Sequence, residues 1–257
     1  MLIRVLSAHN GNELLHSDEA QRDVLSSYEF GICMVKAVIF DIDGTLLDSV
    51  DLHAQAWQEA FKKFGYDFPF DKVRSQIGKG GDQLLPVFLS EKDQKERGKA
   101  ITEYRSQLFK ENYLSKVKPF PYVRELFEKV KAHGQKPGVA SSAKGDELKT
   151  FESIAKIEDL VDAEISSADA KRSKPHPDIF EAALDRLGRD VQPESAVVVG
   201  DSPYDAEAAG KAGMRTVGVL CGGFAEKDLR EAGCIAIFRD PEELWKRYDE
   251  SPLTPNQ

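Results

Sequence analysis

The sequence predicts an α/β fold in which a Rossmann-like parallel sheet core carries an inserted helical cap subdomain. Three observations predict it. From Val35 onwards, short apolar runs alternate with helix-period stripes, the pattern of a parallel sheet with helices on both faces. Several of those runs open into acidic, serine or glycine-containing loops, at the strand ends where open α/β sheets bind ligands. Residues 50–117 break the alternation, with several helical stripes and no convincing strand.

Taken in order, the first strand is expected over 35–40, the run Val35-Lys36-Ala37-Val38-Ile39-Phe40. The insert then carries Trp57, Ala60, Phe61 and Phe64, followed by Tyr104, Leu108 and Leu114, at helical spacings. Coming directly after the first strand and its loop, it should sit over the carboxyl ends of the strands. Trp57 and the phenylalanines read as the core of this insert rather than as ligand stackers. Val123, Leu126, Phe127 and Val130 then fall at i, i+3, i+4 and i+7, and Gly134 stands where a C-terminal glycine belongs. Further strands are expected over 136–140, 161–166, 195–200, 215–219 and 234–238. Between the third and fourth, Ile179, Phe180, Ala183, Leu184 and Leu187 make a second helical stripe, closed by Gly188. The α/β core is thus expected over 34–49 and 118–257, with the helical cap over 50–117.

Residues 1–33 stand apart. Leu2, Ile3, Val5 and Leu6 are too brief a patch for a secretory h-region, and Asp18, Glu19, Asp23 and Glu29 disfavour an organelle transit peptide. A weakly ordered arm and an upstream start-site artefact both fit this extension. Met34 stands where a compact domain would naturally begin.

The chain length of 257 residues suits one large domain or a core with one inserted subdomain, and 41% hydrophobic residues suffice for a substantial core. No run approaches the ~20 apolar residues of a membrane span. A net charge of −9 argues against a general nucleic-acid or anionic-membrane binder. It does not argue against a phosphate substrate, because one local lysine and a metal reverse the field inside a cleft. Cys33, Cys221 and Cys234 are an odd set without metal-ligand spacing, which favours a reduced, cytoplasmic setting over a disulfide framework. The expected partner is a small phosphorylated metabolite, and the expected state a monomer or weak homodimer.

The chemistry concentrates in Asp41-Ile42-Asp43-Gly44-Thr45-Leu46-Leu47-Asp48-Ser49. Asp41 and Asp43 lie at i and i+2 at a strand end, so extended backbone would point both side chains the same way. Like charges that close are costly unless a cation neutralises them or one carboxyl keeps its proton. A hard divalent ion such as Mg2+ takes oxygen ligands and usually brings phosphate with it. Three further segments occur in the order such a site needs: Ala140-Ser141-Ser142 after a strand, Lys174 within Ser173-Lys174-Pro175-His176-Pro177 before a helix, and Gly200-Asp201-Ser202-Pro203-Tyr204-Asp205 after Ala196-Val197-Val198-Val199. Asp201 and Asp205, at i and i+4, share a helical face.

Together these four segments resemble the haloacid dehalogenase superfamily of phosphotransferases, from about Val35 to at least Val219. The Asp48-Ser49 and Leu52-His53-Ala54-Gln55-Ala56-Trp57 region is closest to the beta-phosphoglucomutase and phosphoglycolate phosphatase branch. The resemblance implies a Mg2+-dependent phosphatase that hydrolyses a small phosphomonoester, either a sugar phosphate or a phosphoglycolate-like acid, through an aspartyl-phosphate. It implies Asp41 as nucleophile, with the unperturbed carboxylate pKa of about 3.9 keeping it ionised, and Asp43 as general acid and base. Burial would raise the pKa of Asp43 and a cation would lower it. Lys174 is implied as the phosphate and transition-state cation, and Ser141 as hydrogen-bond donor to phosphate with Ser142 beside it, the adjacent serines leaving a one-residue ambiguity. The implied metal set is Asp41, the backbone carbonyl of Asp43, Asp201 and Asp205. Gly44 and Thr45 are implied to bind substrate.

His53 belongs to no triad or zinc spacing. It lies close after the Asp41 loop, within reach of substrate, although an exposed or core role suits it better. Gly78-Lys79-Gly80-Gly81 is a flexible turn with one cation that either reaches back to the active site or simply joins two helices. An aspartate at 43 fits phosphoester chemistry, since haloacid dehalogenases lack an acid there and phosphonate hydrolases carry a small residue. Mutases of the branch grip a second phosphate with a cap-loop arginine, whereas this loop has Lys79 and no arginine after Arg74. A sugar-phosphate mutase, and a catalytically weak binding or regulatory protein on the same fold, remain the alternatives.

Overall fold

The computed structural model describes residues 34–254; the extension 1–33, with Cys33, lies outside the described residues. Six parallel strands form one sheet in the order β5-β4-β1-β6-β7-β8. They are β1 (Ala37–Phe40), β4 (Lys136–Ala140), β5 (Ala163–Ile165), β6 (Ala196–Gly200), β7 (Arg215–Val219) and β8 (Cys234–Phe238). The strands expected over 136–140, 215–219 and 234–238 have those bounds. The first is shorter than expected, because pairing with both neighbours begins at Ala37. The edge strand β5 keeps only the three residues that pair with β4.

Period-2 alternation explains why these runs are apolar throughout. On one face Val38, Phe40, Val197, Val199, Val217 and Val219 pack with Leu126, Phe127 and Val130 of α5 (Val123–Ala132). On the other, Ala37, Ile39, Ala196 and Val198 pack with Ile179, Phe180 and Ala183 of α7 (Asp178–Leu187) and with Ala208 and Ala209 of α8 (Pro203–Lys211). A strand covered on both faces has no side chain to give to water, so it reads as a continuous hydrophobic run. After α5 the chain reverses at Gly134, whose φ of +71° is the left-handed conformation a glycine adopts at no steric cost.

The chain leaves the sheet through β2 (Leu47–Asp48) and returns through β3 (Lys118–Pro119), and these four residues pair antiparallel. Sequence periodicity does not reveal so short a ribbon. Between the two crossings lie α1 (Val50–Lys63), α2 (Phe70–Arg74), α3 (Gly81–Phe88) and α4 (Lys99–Asn112). They close around their own core, with Ala54, Trp57, Phe61, Val73, Leu84 and Ile101 buried together. Trp57 is stacked on Phe61 at 5.6 Å between ring centroids, as the core reading of Trp57 expects. Arg74 of this helical segment donates to Gly222 O at 2.9 Å, Ser173 N donates to Asp82 Oδ2 at 3.1 Å and the Tyr204 hydroxyl donates to Ser75 O at 2.6 Å, and these polar contacts hold it against the strand ends. Among the described residues, no helix is long and apolar enough to cross a membrane.

Candidate active site

The sheet order reverses at β1: the chain moves outward through β4 and β5, then crosses to β6 on the other side of β1. Loops leaving β1, β4 and β6 diverge at that point and leave a crevice. Asp41 enters it directly from β1, its amide still bonded to Val199 O at 2.9 Å. The next residues wrap around one buried carbonyl, with the amides of Thr45, Leu46 and Leu47 all donating to Ile42 O. Gly44 makes the turn possible. Its φ is +89°, and a Cβ there would overlap the Asp201 carboxylate.

Lys174 is the centre of the charge arrangement. It is 1% exposed, and its ammonium donates to Asp41 Oδ1 and, at 2.7 Å, to Asp205 Oδ1. Asp205 also closes a capping box, taking the Ser202 amide at 3.1 Å and the Ser202 hydroxyl at 2.6 Å. The cap and the ion pair therefore use different oxygens of one carboxylate. Asp201 accepts from Thr45 Oγ1 at 3.2 Å. Asp41, Asp201 and Asp205 are buried and offer carboxylate oxygens that all lie within 4.8 Å of one another.

One ammonium does not neutralise three carboxylates. Burial, opposed by Lys174 and reinforced by Asp205 and Asp43, pushes the Asp41 pKa up to about 7. From the sequence alone Asp41 stands at its unperturbed value; without a metal cation beside it, desolvation moves it upward from there. Asp201 is likewise pushed well above the carboxylate range, by burial first and then by Asp205 and Asp41. Burial alone would lower the Lys174 pKa, but Asp205 and Asp41 outweigh it and raise it above the usual lysine range. The uncompensated negative charge, presented by oxygen ligands alone, fits a hard divalent cation. Asp41, Asp201 and Asp205 would hold it.

The Asp43 carboxylate is turned away from that trio. Its Oδ1 accepts from Ser49 Oγ at 2.6 Å and pairs with His53 Nε2 at 2.8 Å. Arg105 of α4 contacts His53 Nδ1, and a guanidinium can only donate, so the proton of a neutral imidazole sits on Nε2 and points at Asp43. His53 is buried and stacked on Phe109 at 4.0 Å with the planes 9° apart. Burial would raise the Asp43 pKa, yet His53, Ser49 and Arg105 together hold it below the usual range.

Asp41 and Asp43 line a small cavity of about 70 Å³ together with His53, Trp57, the Gly78–Gly81 turn, Arg105, Ser142 and Glu147. Lys174, Asp201 and Asp205 lie buried beside Asp41 rather than on its wall. Gly44 and Thr45, expected against substrate, are buried as well, and the Thr45 hydroxyl donates to Asp201. The two serines divide. Ser141 is fully buried and its Oγ accepts the Ala143 amide at 3.1 Å, while Ser142 reaches the cavity. Lys79 lines the cavity too, but its ammonium donates to Gln76 Oε1 at 2.7 Å and lies 4.5 Å from the centre of the Tyr204 ring.

A family description, haloacid dehalogenase-like hydrolase, matches residues 38–219. The chain belongs to this family. Proteins similar to this haloacid dehalogenase-like hydrolase include a phosphorylated carbohydrates phosphatase of Thermotoga maritima, 33% identical over 82% of this chain and 96% of that protein. A phosphoglycolate phosphatase of Nitrosospira multiformis is 30% identical, covering 84% of this chain and 97% of its own. Among solved structures, a hydrolase from Pseudomonas syringae superposes with a TM-score of 0.77 at 26% identity, over 84% of this chain and 98% of that one.

Two ionisable residues on the cavity wall, Arg105 and Glu147, carry no signal in the sequence of this haloacid dehalogenase-like hydrolase. Arg105 lies inside α4 beside an apolar stripe, where a charged residue ordinarily faces solvent. Glu147 lies in the first turn of α6 (Gly145–Ala155), an ordinary place for an acid. Only the packing of the helical segment over the strand ends distinguishes them.

Proposed function

We propose that the protein is a Mg2+-dependent phosphatase that hydrolyses small phosphomonoesters through an aspartyl-phosphate on Asp41. The observation that carries this reading is the Lys174 ammonium held between Asp41 and Asp205, beside Asp201 and behind the Asp41 carboxylate that lines the cavity. Buried charges of this kind, unbalanced and converging on a cavity, mark a site built for a charged reactant.

In the proposed mechanism an Asp41 oxygen attacks phosphorus in line as the bond to the leaving oxygen breaks. Asp43 delivers a proton to that oxygen. Its depressed pKa makes it a base in the free enzyme, so it acts as acid only after taking up a proton, which a substrate entering as the monoanion carries. In the second half Asp43 accepts a proton from water, water attacks phosphorus, the Asp41–phosphorus bond breaks, and inorganic phosphate leaves. Lys174 stabilises charge building on the phosphoryl oxygens, and Ser141, whose oxygen accepts the Ala143 amide, keeps its own proton to donate. A Mg2+ ion at the aspartate trio would neutralise phosphoryl charge and restore Asp41 to its ionised form. The helical segment over the strand ends acts as a cap that limits water.

Hydrolysis is favoured over phosphoryl mutation by the state of Lys79. Its ammonium is committed to Gln76 and the Tyr204 face, and a lysine grips a second phosphate only as a point charge. The test is phosphate release from nitrophenyl phosphate and from a hexose phosphate, for the wild type and Asp41→Asn. Loss of a covalent nucleophile should cost up to ~10⁶ in kcat with the fold intact. Retention of a tenth of the activity, or isomerisation outrunning hydrolysis tenfold, would overturn the proposal.

A further inference from the structure

Besides the aspartates, the wall of the cavity carries polar atoms that the mechanism leaves unused. Three of them are buried without any hydrogen-bond partner: Arg105 Nε, Ser142 Oγ and Glu147 Oε1. They come from different elements, α4, the loop after β4 and α6, yet all three residues line the cavity of Asp41 and Asp43. The same three residues also line a wider groove of about 620 Å³ that continues outward between the helical segment and the strand ends. A phosphoryl group seated against Asp41 would therefore place the rest of its ester at this junction.

Unpaired buried polar atoms are costly, and a ligand that pairs them recovers that cost. The chemistry of the three atoms restricts the ligand. Arg105 Nε is a donor only, a glutamate oxygen is an acceptor when ionised, and a serine hydroxyl is both. Glu147 is 6% exposed, so little water screens it from what enters the cavity. Its field is felt by Arg105, whose pKa is lowered by burial and pulled back up by Glu147 and Asp43. A second carboxylate or phosphate on the ester would pair Arg105 and Ser142, but it would leave Glu147 unpaired and facing a like charge. A hydroxyl accepts from Arg105 Nε and donates to Glu147 at once, and a neighbouring hydroxyl pairs Ser142.

Resting on the phosphatase reading above, we infer that Glu147, with Arg105 and Ser142, forms a leaving-group subsite for a neutral, polyhydroxylated alcohol and selects against esters that bear a second anionic group. Glu147 is the specificity-determining residue, because it is the member that an anionic ester cannot pair.

The experiment compares kcat/KM for glycerol phosphate, ethyl phosphate, phosphoglycolate and nitrophenyl phosphate in the wild type, Glu147→Gln and Glu147→Leu. The wild type should prefer glycerol phosphate over phosphoglycolate by about tenfold or more, since a site built to bond a hydroxyl discriminates strongly against a ligand that leaves its groups unpaired. Glu147→Gln keeps an acceptor oxygen and removes the charge, so the discrimination against phosphoglycolate should shrink by about tenfold. Glu147→Leu should lose the preference for glycerol phosphate over ethyl phosphate. A wild type that favours phosphoglycolate, or a Glu147→Gln ratio within about twofold of wild type, would overturn the assignment. The wild-type ratio needs no variant to fold. If nitrophenyl phosphate and every other ester are left intact by the wild type, the phosphatase reading fails and this assignment falls with it.

Discussion

Replacing Lys174 by methionine tests the electrostatic account of the site. Met has nearly the length of lysine and fills the same buried channel, so the change removes charge rather than volume. The wild-type ammonium is 1% exposed and joins Asp41 to Asp205. Removing one partner of a buried ion pair typically destabilises by about 3–5 kcal/mol, because the other charge stays buried and uncompensated. In a domain of this size about 1 kcal/mol corresponds to roughly 2–4 °C in Tm, so a drop on the order of 6–20 °C is expected in chelator at pH 8. The penalty should depend on pH. Asp41 and Asp201 already have raised pKa values with Lys174 present, and higher ones without it, so the folded variant holds more protons than the folded wild type. Its relative stability must then rise as the pH falls, and most of the deficit should vanish near pH 5. Asp205→Asn in the same background should recover part of the loss, since the two positions are in contact and their effects do not add. Urea denaturation of the wild type, the two single variants and the double variant at both pH values, in EDTA, reads these quantities. A penalty below about 1 kcal/mol at pH 8, or one that is equal at pH 5, would refute the picture of an overcharged trio held by one lysine.

Chelation should stop phosphate release and Mg2+ restore it, with Ca2+ a poor substitute because of its longer bonds and looser coordination. Asp201→Ala should raise the Mg2+ requirement strongly and Asp205→Ala less, as measured by activity against Mg2+ concentration; full activity in EDTA would sink the metal assignment. Lys79→Ala should alter KM through the cavity turn, and unchanged kinetics would remove that turn from the site. Glu152 supplies a prediction remote from the site: burial, then Glu164 and Glu158, push its pKa up to about 7, and its Oε1 has no partner. A raised carboxylate pKa costs nothing below the unfolded value near 4.5, costs progressively more as pH rises, and costs its full amount above 7. Glu152→Gln should therefore stabilise by about 1–3 kcal/mol at pH 8 and by much less at pH 4.5, and calorimetry showing equal gains at both would contradict it.

What the sequence determined by itself was whatever depends on neighbours along the chain. Val38, Phe40, Val197 and Val199 read as buried strands because a strand covered on both faces must be apolar at every position. The loops after those strands announced Asp41, Asp43, Ser141 and Asp201, and a parallel sheet brings the carboxyl ends of its strands to one edge. Lys174 and Asp205 were legible as motif members, and the structure joins them through one ammonium. The tertiary structure alone decided the rest. The pKa of Asp41 depends on burial and on charges up to 164 positions away in the chain, so no local reading of Asp41 contains it. Asp43 is set as a base by His53, which a turn of helix supplies, and by Arg105, which arrives only when the helical segment packs down. Of the two serines, adjacent in sequence, one accepts a backbone amide and the other faces the cavity, a choice made by the turn into α6. Glu147 shows the same limit most plainly. An acid in the first turn of a helix is ordinary, and only the packed structure leaves its oxygen buried without a partner on the cavity wall, the position from which recognition is proposed.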